Sequence, residues 1–245
     1  MGSPRSWCAG LARRGRWVTD DRLSPGPRFR RATRQRLNER LLAARLYVIT
    51  PDQGPDRLLA VAAAAVRGGA EVLQLRHKAL ARGSLLELAR RLRELTRKAG
   101  VIFIVNDHVD LALLSEADGV HLGPDDLSVA GARSVAGDRL LIGASASSPP
   151  AAIEAIEAGA DYIGCGPAFA TPLKPLKEVI GPSGVFAVAS ALGPAAPVFA
   201  IGGIDASNIQ ELTAAGVRRV CVVRAVGDAP DPESATRLLR RMLEE

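Results

Sequence analysis

Residues 101–126, VIFIVNDHVDLALLSEADGVHLGPDD, hold two acids at positions from which they could share a cation. Val101 to Val105 is an apolar, β-branched run suited to a strand buried on both faces, and it stops at Asn106 and Asp107. A second run, Gly119 to Gly123, stops at Pro124, Asp125 and Asp126. Two such strands lying parallel and adjacent would carry Asp107 and Asp126 at the same end. A pair of hard oxygen ligands suits Mg²⁺, which keeps most of its waters and commonly arrives with a phosphate-bearing substrate. The competing reading is structural: either Asp, at a strand-to-helix turn, could cap the helix that follows, the second of which starts near Ser128.

Other apolar runs end in residues that suit an anion. One ends Gln74-Leu75-Arg76-His77-Lys78, and strand alternation puts Arg76 and Lys78 on the same side. Arg grips phosphate oxygens in pairs, and Lys acts as a point charge. Ser145 closes a further run, and Val223-Arg224-Ala225 lies in the last one. Gly202-Gly203-Ile204-Asp205, read as the start of a helix, would let backbone N–H groups approach a phosphate. Thr171-Pro172-Leu173-Lys174 lies on a long loop that could close over a ligand. His121, inside a buried-looking strand, reads as a hydrogen-bonded core residue, and Cys165, with no base beside it, reads as packing.

The elements that must position these residues repeat at a period of about 25. Strands are expected over Leu46–Thr50, Glu71–Arg76, Val101–Val105, Gly119–Gly123, Leu140–Ser145, Tyr162–Gly166, Val198–Ile201 and Arg219–Val226. Each precedes a helical stretch, among them Arg57–Arg67, Ser84–Lys98 with Leu85, Leu88, Leu92 and Leu95 on one face, Asp205–Ala215 and Pro232–Leu243. Eight such units over residues 45–245 imply an α/β chain folded as a single (β/α)8 TIM barrel, whose active site lies where strands run into the following loops. An open doubly wound sheet is the alternative. It is disfavoured because the first turn, Pro51-Asp52-Gln53-Gly54, lacks the dinucleotide-binding glycine pattern.

Charge and composition narrow the function. The net charge is +6, but residues 1–44 hold eleven Arg against three acids, so the remaining residues carry −2. The body is therefore not a basic nucleic-acid module. No apolar run is long enough for a membrane span. Three scattered cysteines give neither a disulfide framework nor a zinc site and fit a reducing, cytoplasmic setting. Residues 1–44 read as a basic leader, disordered apart from a lead-in helix in RQRLNERLLAAR, with a transit peptide as a weaker alternative. A chain lacking residues 1–40 is expected to keep its activity. The sequence leaves a homo-oligomer open.

With these positions assembled, residues 45–226 resemble the thiamine phosphate synthase and thiazole tautomerase superfamily. The resemblance rests on QLRHK at 74–78, VNDHVDLAL at 105–113, ADGVHLGPDD at 117–126, GADYIGCGPAFATPLK at 159–174 and AIGGI at 200–204, in that order and spacing. It implies a transferase that joins a hydroxymethylpyrimidine diphosphate to a thiazole phosphate and releases pyrophosphate. It further implies that Gln74, Arg76, Lys78, Asn106, Ser145 and Lys174 hold the pyrimidine diphosphate, with His77 beside them. Arg76, Lys78, Lys174 and Ser145 would carry the catalysis, and Asp107 and Asp126 would hold Mg²⁺. Thr171, Pro172, Leu173, Gly202, Gly203, Val223 and Arg224 would surround the thiazole phosphate.

Three positions depart from the synthase pattern: Pro124 stands where Gln is usual, Leu173 where Thr or Ser is, and Arg224 where Ser is. Two other functions stay open. A tautomerase-like enzyme would need a His soon after strand five, where this chain reads Ala144-Ser145-Ala146-Ser147-Ser148. The second is a non-catalytic binder of phosphorylated ligands.

Overall fold

The computed structural model describes residues 27–172, 176–194 and 196–244. Helix α1 (Pro27–Ala43) leads into β1 (Leu46–Ile49), α2 (Pro55–Arg67), β2 (Val72–Leu75), α3 (Arg82–Ala99), β3 (Ile102–Asn106), α4 (Val109–Leu114) and β4 (Gly119–Leu122). The chain continues through α5 (Val129–Ala136), β5 (Leu141–Ala146), α6 (Pro149–Glu157), β6 (Tyr162–Cys165), α7 (Gly181–Leu192), β7 (Val198–Ile201), α8 (Ile209–Ala214), β8 (Val220–Val222), α9 (Arg224–Gly227) and α10 (Pro232–Met242). All eight strands are parallel, and β1 pairs with both β2 and β8, so the sheet closes into the expected (β/α)8 barrel and the open sheet is excluded.

The strands read as near-continuous apolar runs because both faces are covered. Alternate residues divide between two cores. Leu46, Val48, Leu73, Leu75, Phe103, Val105, Val120, Ile142, Ile163 and Val220 face the helices. Tyr47, Ile49, Val72, Ile102, Ile104, Leu141, Tyr162, Phe199 and Cys221 fill the barrel interior. Large and small residues interlock there. A Cβ on Gly143 would lie 2.1 Å from the ring of Tyr162, so the β5 glycine is what lets that tyrosine cross the barrel.

The amino-terminal end is held by a repeated device. Glu71, Asp118 and Asp161, each just before an even-numbered strand, accept backbone N–H groups at the start of the preceding odd strand. Glu71 takes Arg45 N at 2.7 Å, Asp118 takes Phe103 N at 2.9 Å, and Asp161 takes Ile142 N at 2.8 Å. Each acid also pairs with an arginine of an outer helix: Arg240, Arg93 and Arg133 respectively.

Three expectations need correction. The lead-in helix expected in residues 34–45 forms as part of α1, but the segment set apart as a leader packs on the barrel from Arg34 onward: Arg34 pairs with Asp138 and Asp161, and Arg40 donates to Gly100 O. Leu41 and Ala44 belong to the interior core, with Leu37 packed against it. Residues 1–26 lie outside the described residues. The eighth strand ends at Val222 instead of running to Val226, because Arg224–Gly227 turns into a helix, and α8 begins at Ile209, four residues later than expected. Asn208 explains that delay, since its side chain donates to Gly203 O and accepts from Asp205 N, fixing the intervening residues as a turn.

Because Leu41 is 1% exposed, Leu41→Ala is expected to cost about 2 to 5 kcal/mol in a denaturant titration. An unchanged midpoint would mean that α1 does not plug the barrel.

Candidate active site

A cavity of about 580 Å³ opens at the carboxyl end of the strands. Its wall includes Gln74, Arg76, Lys78, Asn106, Asp107, Asp126, Ser145, Thr171, Pro172, Gly202, Gly203, Val223 and Arg224, so the strand-end residues picked out in the sequence converge on one space. Leu173 and Lys174 lie outside the described residues. His77 is the exception: it is absent from the cavity wall. Its Nε2 lies 3.2 Å from Gln53 O, and its Nδ1 accepts from Leu80 N at 3.1 Å, so it braces the β1–α2 and β2–α3 loops against each other. Alternation along the strand explains this, since Arg76 and Lys78 take the inward side and His77 the other.

The acids meet. Asp107 and Asp126 lie close enough for one carboxyl to hydrogen-bond the other. Asp107 follows the last residue of β3 with φ +63°, a left-handed conformation that Asp tolerates better than most residues. Its N–H donates to His121 O at 2.8 Å, tying the end of β3 to β4. Asp126 accepts Gly123 N at 2.7 Å, and Lys78 Nζ donates to Asp107 Oδ2 at 2.6 Å. Burial pushes both carboxyls up. For Asp107 the hydrogen bonds from Lys78 and Asp126 outweigh it and hold the group below its ordinary value. For Asp126 the bond to Asp107 adds to burial and raises it. The two acids thus behave as one unit that favours a shared proton or a cation between them.

Capping does not explain either acid. The α5 cap is Ser128, whose hydroxyl accepts Gly131 N, and the cap position of α4 is His108, which makes no side-chain cap bond. Among the described residues no three His, Cys, Asp or Glu side chains form a closed metal site. Two carboxylates alone suit a hard cation that completes its shell with water and ligand oxygens.

The cations are held in place. Asp52, in the turn after β1, accepts Arg76 Nη1 at 3.0 Å and the backbone N–H of Lys78 at 2.7 Å. Buried Thr50 exchanges two hydrogen bonds with the Arg76 backbone. On the far wall a Cβ on Gly203 would lie 2.5 Å from Ala170 O, and one on Gly202 2.6 Å from Pro167, so both backbones pack where no side chain fits. Arg224 Nε donates to Asp228 at 2.9 Å, and both residues line the cavity. The expected helix terminus beside Gly203 is a turn, as described above.

Several wall residues were missed or set aside in the sequence. His121, read as core, lines the cavity and lies 3.1 Å from Ser145 Oγ. Tyr47 and Tyr162 also reach the wall, joined by their hydroxyls. Lys177 adds a cation on the β6–α7 loop. Asp52 could have been found, since it stands at a strand end like the others. Cys165 is buried, with its thiol pushed up to about 12 by burial, which agrees with a packing role.

Comparison with known proteins points one way. The family described as "Thiamine monophosphate synthase" matches residues 46–226. A thiamine-phosphate synthase of Gloeobacter violaceus is 45% identical over 84% of this chain, which spans 59% of that relative's length. One from Thermus thermophilus is 43% identical over 82% of this chain and 98% of its own. The solved structure of thiamine phosphate pyrophosphorylase from Pyrococcus furiosus is 37% identical, with a TM-score of 0.75 over 85% of this chain and 98% of its own.

Asp126→Asn removes a like charge from the pair, so thermal stability is expected to hold or rise slightly. A large loss, beyond about 1 kcal/mol in a denaturant titration, would return Asp126 to a structural role.

Proposed function

The chain belongs to the thiamine monophosphate synthase family, and we propose that it condenses 4-amino-2-methyl-5-hydroxymethylpyrimidine diphosphate with thiazole phosphate, giving thiamine phosphate and pyrophosphate. The observation that carries this reading is the meeting of Asp107 and Asp126 in the same cavity as Arg76 and Lys78. Paired acids for one cation, set against fixed positive groups, are what a departing diphosphate requires.

In this reading the C–O bond to the diphosphate breaks with its electron pair leaving on oxygen, and the thiazole nitrogen closes a C–N bond to the exposed methylene carbon. No protein nucleophile takes part. The barrier lies in the negative charge of the leaving group, and preorganised cations lower it without a general base. Mg²⁺ held by Asp107 and Asp126 would neutralise part of that charge. Arg76 and Lys78, fixed through Asp52, receive the diphosphate oxygens together with Lys174. Gln74 and Asn106 contact the pyrimidine end, and Ser145 the diphosphate. Thr171, Pro172, Leu173, Gly202, Gly203, Val223 and Arg224 surround the thiazole phosphate, where the Arg224 guanidinium takes over from the smaller residue usual there.

No helix among the described residues is long and apolar enough to cross a membrane. A cytoplasmic enzyme acting on small phosphorylated substrates, without nucleic acid, fits that observation and the body's charge. A homo-oligomer is compatible with it.

Incubating the protein with both substrates and Mg²⁺ is expected to yield thiamine phosphate and pyrophosphate in equal amounts, and chelation is expected to abolish both. Ligand binding without product would instead support a non-catalytic binder, and turnover of a thiazole carboxylate phosphate alone would support the tautomerase. Arg76→Ala and Lys78→Ala should each lower kcat by about 10² to 10³, measured with the folded proteins. Values near wild type would remove those cations from the reaction.

A further inference from the structure

Five polar side chains cross the closed end of the cavity in a line: Gln74 on β2, Tyr47 on β1, Tyr162 on β6, His121 on β4 and Ser145 on β5. Gln74, Tyr47 and Tyr162 are buried, whereas His121 and Ser145 are half-buried. Gln74 Nε2 donates to Tyr47 Oη at 2.7 Å. The two phenol oxygens are 3.1 Å apart, Tyr162 Oη is 3.3 Å from His121 Nδ1, and His121 Nε2 is 3.1 Å from Ser145 Oγ. We propose that this is a one-way hydrogen-bond chain that makes Ser145 a donor to the diphosphate, with Tyr162 and His121 as its positioning residues. The proposal rests on the reading of the cavity as a diphosphate site.

The proposed direction satisfies the proton count. A phenol carries one proton; Tyr47 Oη receives the Gln74 amide, and in this direction it spends its own proton on Tyr162 Oη. Tyr162 passes its own to His121 Nδ1, which must then be a bare lone pair. A neutral imidazole with Nδ1 unprotonated carries its hydrogen on Nε2, and that hydrogen points at Ser145 Oγ. The serine oxygen is thereby occupied as an acceptor, and its hydroxyl proton is left for a ligand. The reverse polarity would have Ser145 spend its proton on the imidazole and offer lone pairs to an anion, which is repulsive. Burial raises both phenols well above their ordinary values, so both keep the proton the chain needs.

The rings are held for this purpose by absent side chains. A Cβ on Gly143 would collide with Tyr162, and one on Gly164 would lie 3.0 Å from His121 Cε1. The strand register sets Gly143 between His121 on β4 and Tyr162 on β6, so the two rings meet across a strand that offers no side chain between them.

Two measurements decide it. The chain has three histidines, so ¹⁵N imidazole spectra of the whole protein at mildly alkaline pH can be assigned with a His121→Gln variant. His121 is expected as the Nε2–H tautomer, and the Nδ1–H tautomer would overturn the proposal. Calorimetric binding of inorganic pyrophosphate with Mg²⁺ then tests the consequence. Tyr162→Phe is expected to weaken binding roughly tenfold or more, the worth of one hydrogen bond to a charged group. His121→Gln, whose amide can accept from Tyr162 and donate to Ser145, is expected to bind within about threefold of wild type, whereas His121→Leu should match the loss in Ser145→Ala. Binding like wild type by Tyr162→Phe and His121→Leu, both folded by their thermal midpoints, overturns the chain whatever Ser145→Ala does. Failure of the wild type itself to bind pyrophosphate overturns the diphosphate reading instead.

Discussion

Two carboxylates forced together at the carboxyl end of adjacent strands are the constraint on which the site depends. Like unit charges at 4 Å repel by about 4 kcal/mol at an effective dielectric near 20, so the pair is tolerable only with a shared proton, a counter-charge or a metal ion. The backbone leaves little freedom to escape: Asp107 is pinned to His121 O in a left-handed conformation, and Asp126 is pinned to the Gly123 N–H. Lys78 answers part of the charge from one side. The remaining field is available to a cation that brings its own phosphate.

The barrel divides its work between its two ends. At the amino-terminal end, Glu71, Asp118 and Asp161 combine a backbone N–H with an arginine, and α1 closes the interior with Leu41. These bonds stabilise the fold, and none of the three acids lines the cavity. At the other end the same residue types are aimed into the cavity. Asp52 resembles the lower acids in binding both an arginine and a backbone N–H, but the arginine it holds, Arg76, lines the site. Between the two ends, tyrosines and a histidine take the place of aliphatic side chains, because Gly143 and Gly164 leave room for them.

Much of this was legible in the residue order. Apolar runs of four to eight residues at a regular period gave all eight strands, and reading only their carboxyl ends found Asp107, Asp126, Arg76, Lys78 and Ser145. What failed had local causes. His77 was grouped with its neighbours although alternation turns it to the other side. The eighth strand was drawn too long because Ala225-Val226 resumes the apolar run of Val220–Val223 after Arg224, and nothing in that composition announces the helical turn. Residues 34–45 read as a lead-in helix, but its packing was not visible, since Arg34, which pairs with both Asp138 and Asp161, is indistinguishable in sequence from a solvated arginine. His121 was set aside because a histidine in an apolar strand gives no sign of facing Ser145 on the next strand; only the register supplies that.

Anomalous diffraction from crystals soaked with Mn²⁺ and inorganic pyrophosphate would test the central claim most directly. A single manganese peak bonded to one oxygen from each of Asp107 and Asp126, at about 2.0 to 2.3 Å, with pyrophosphate oxygens completing its shell toward Arg76 and Lys78, is the predicted result. A peak elsewhere in the cavity, or pyrophosphate bound with both acids still paired only to each other and Lys78, would contradict it.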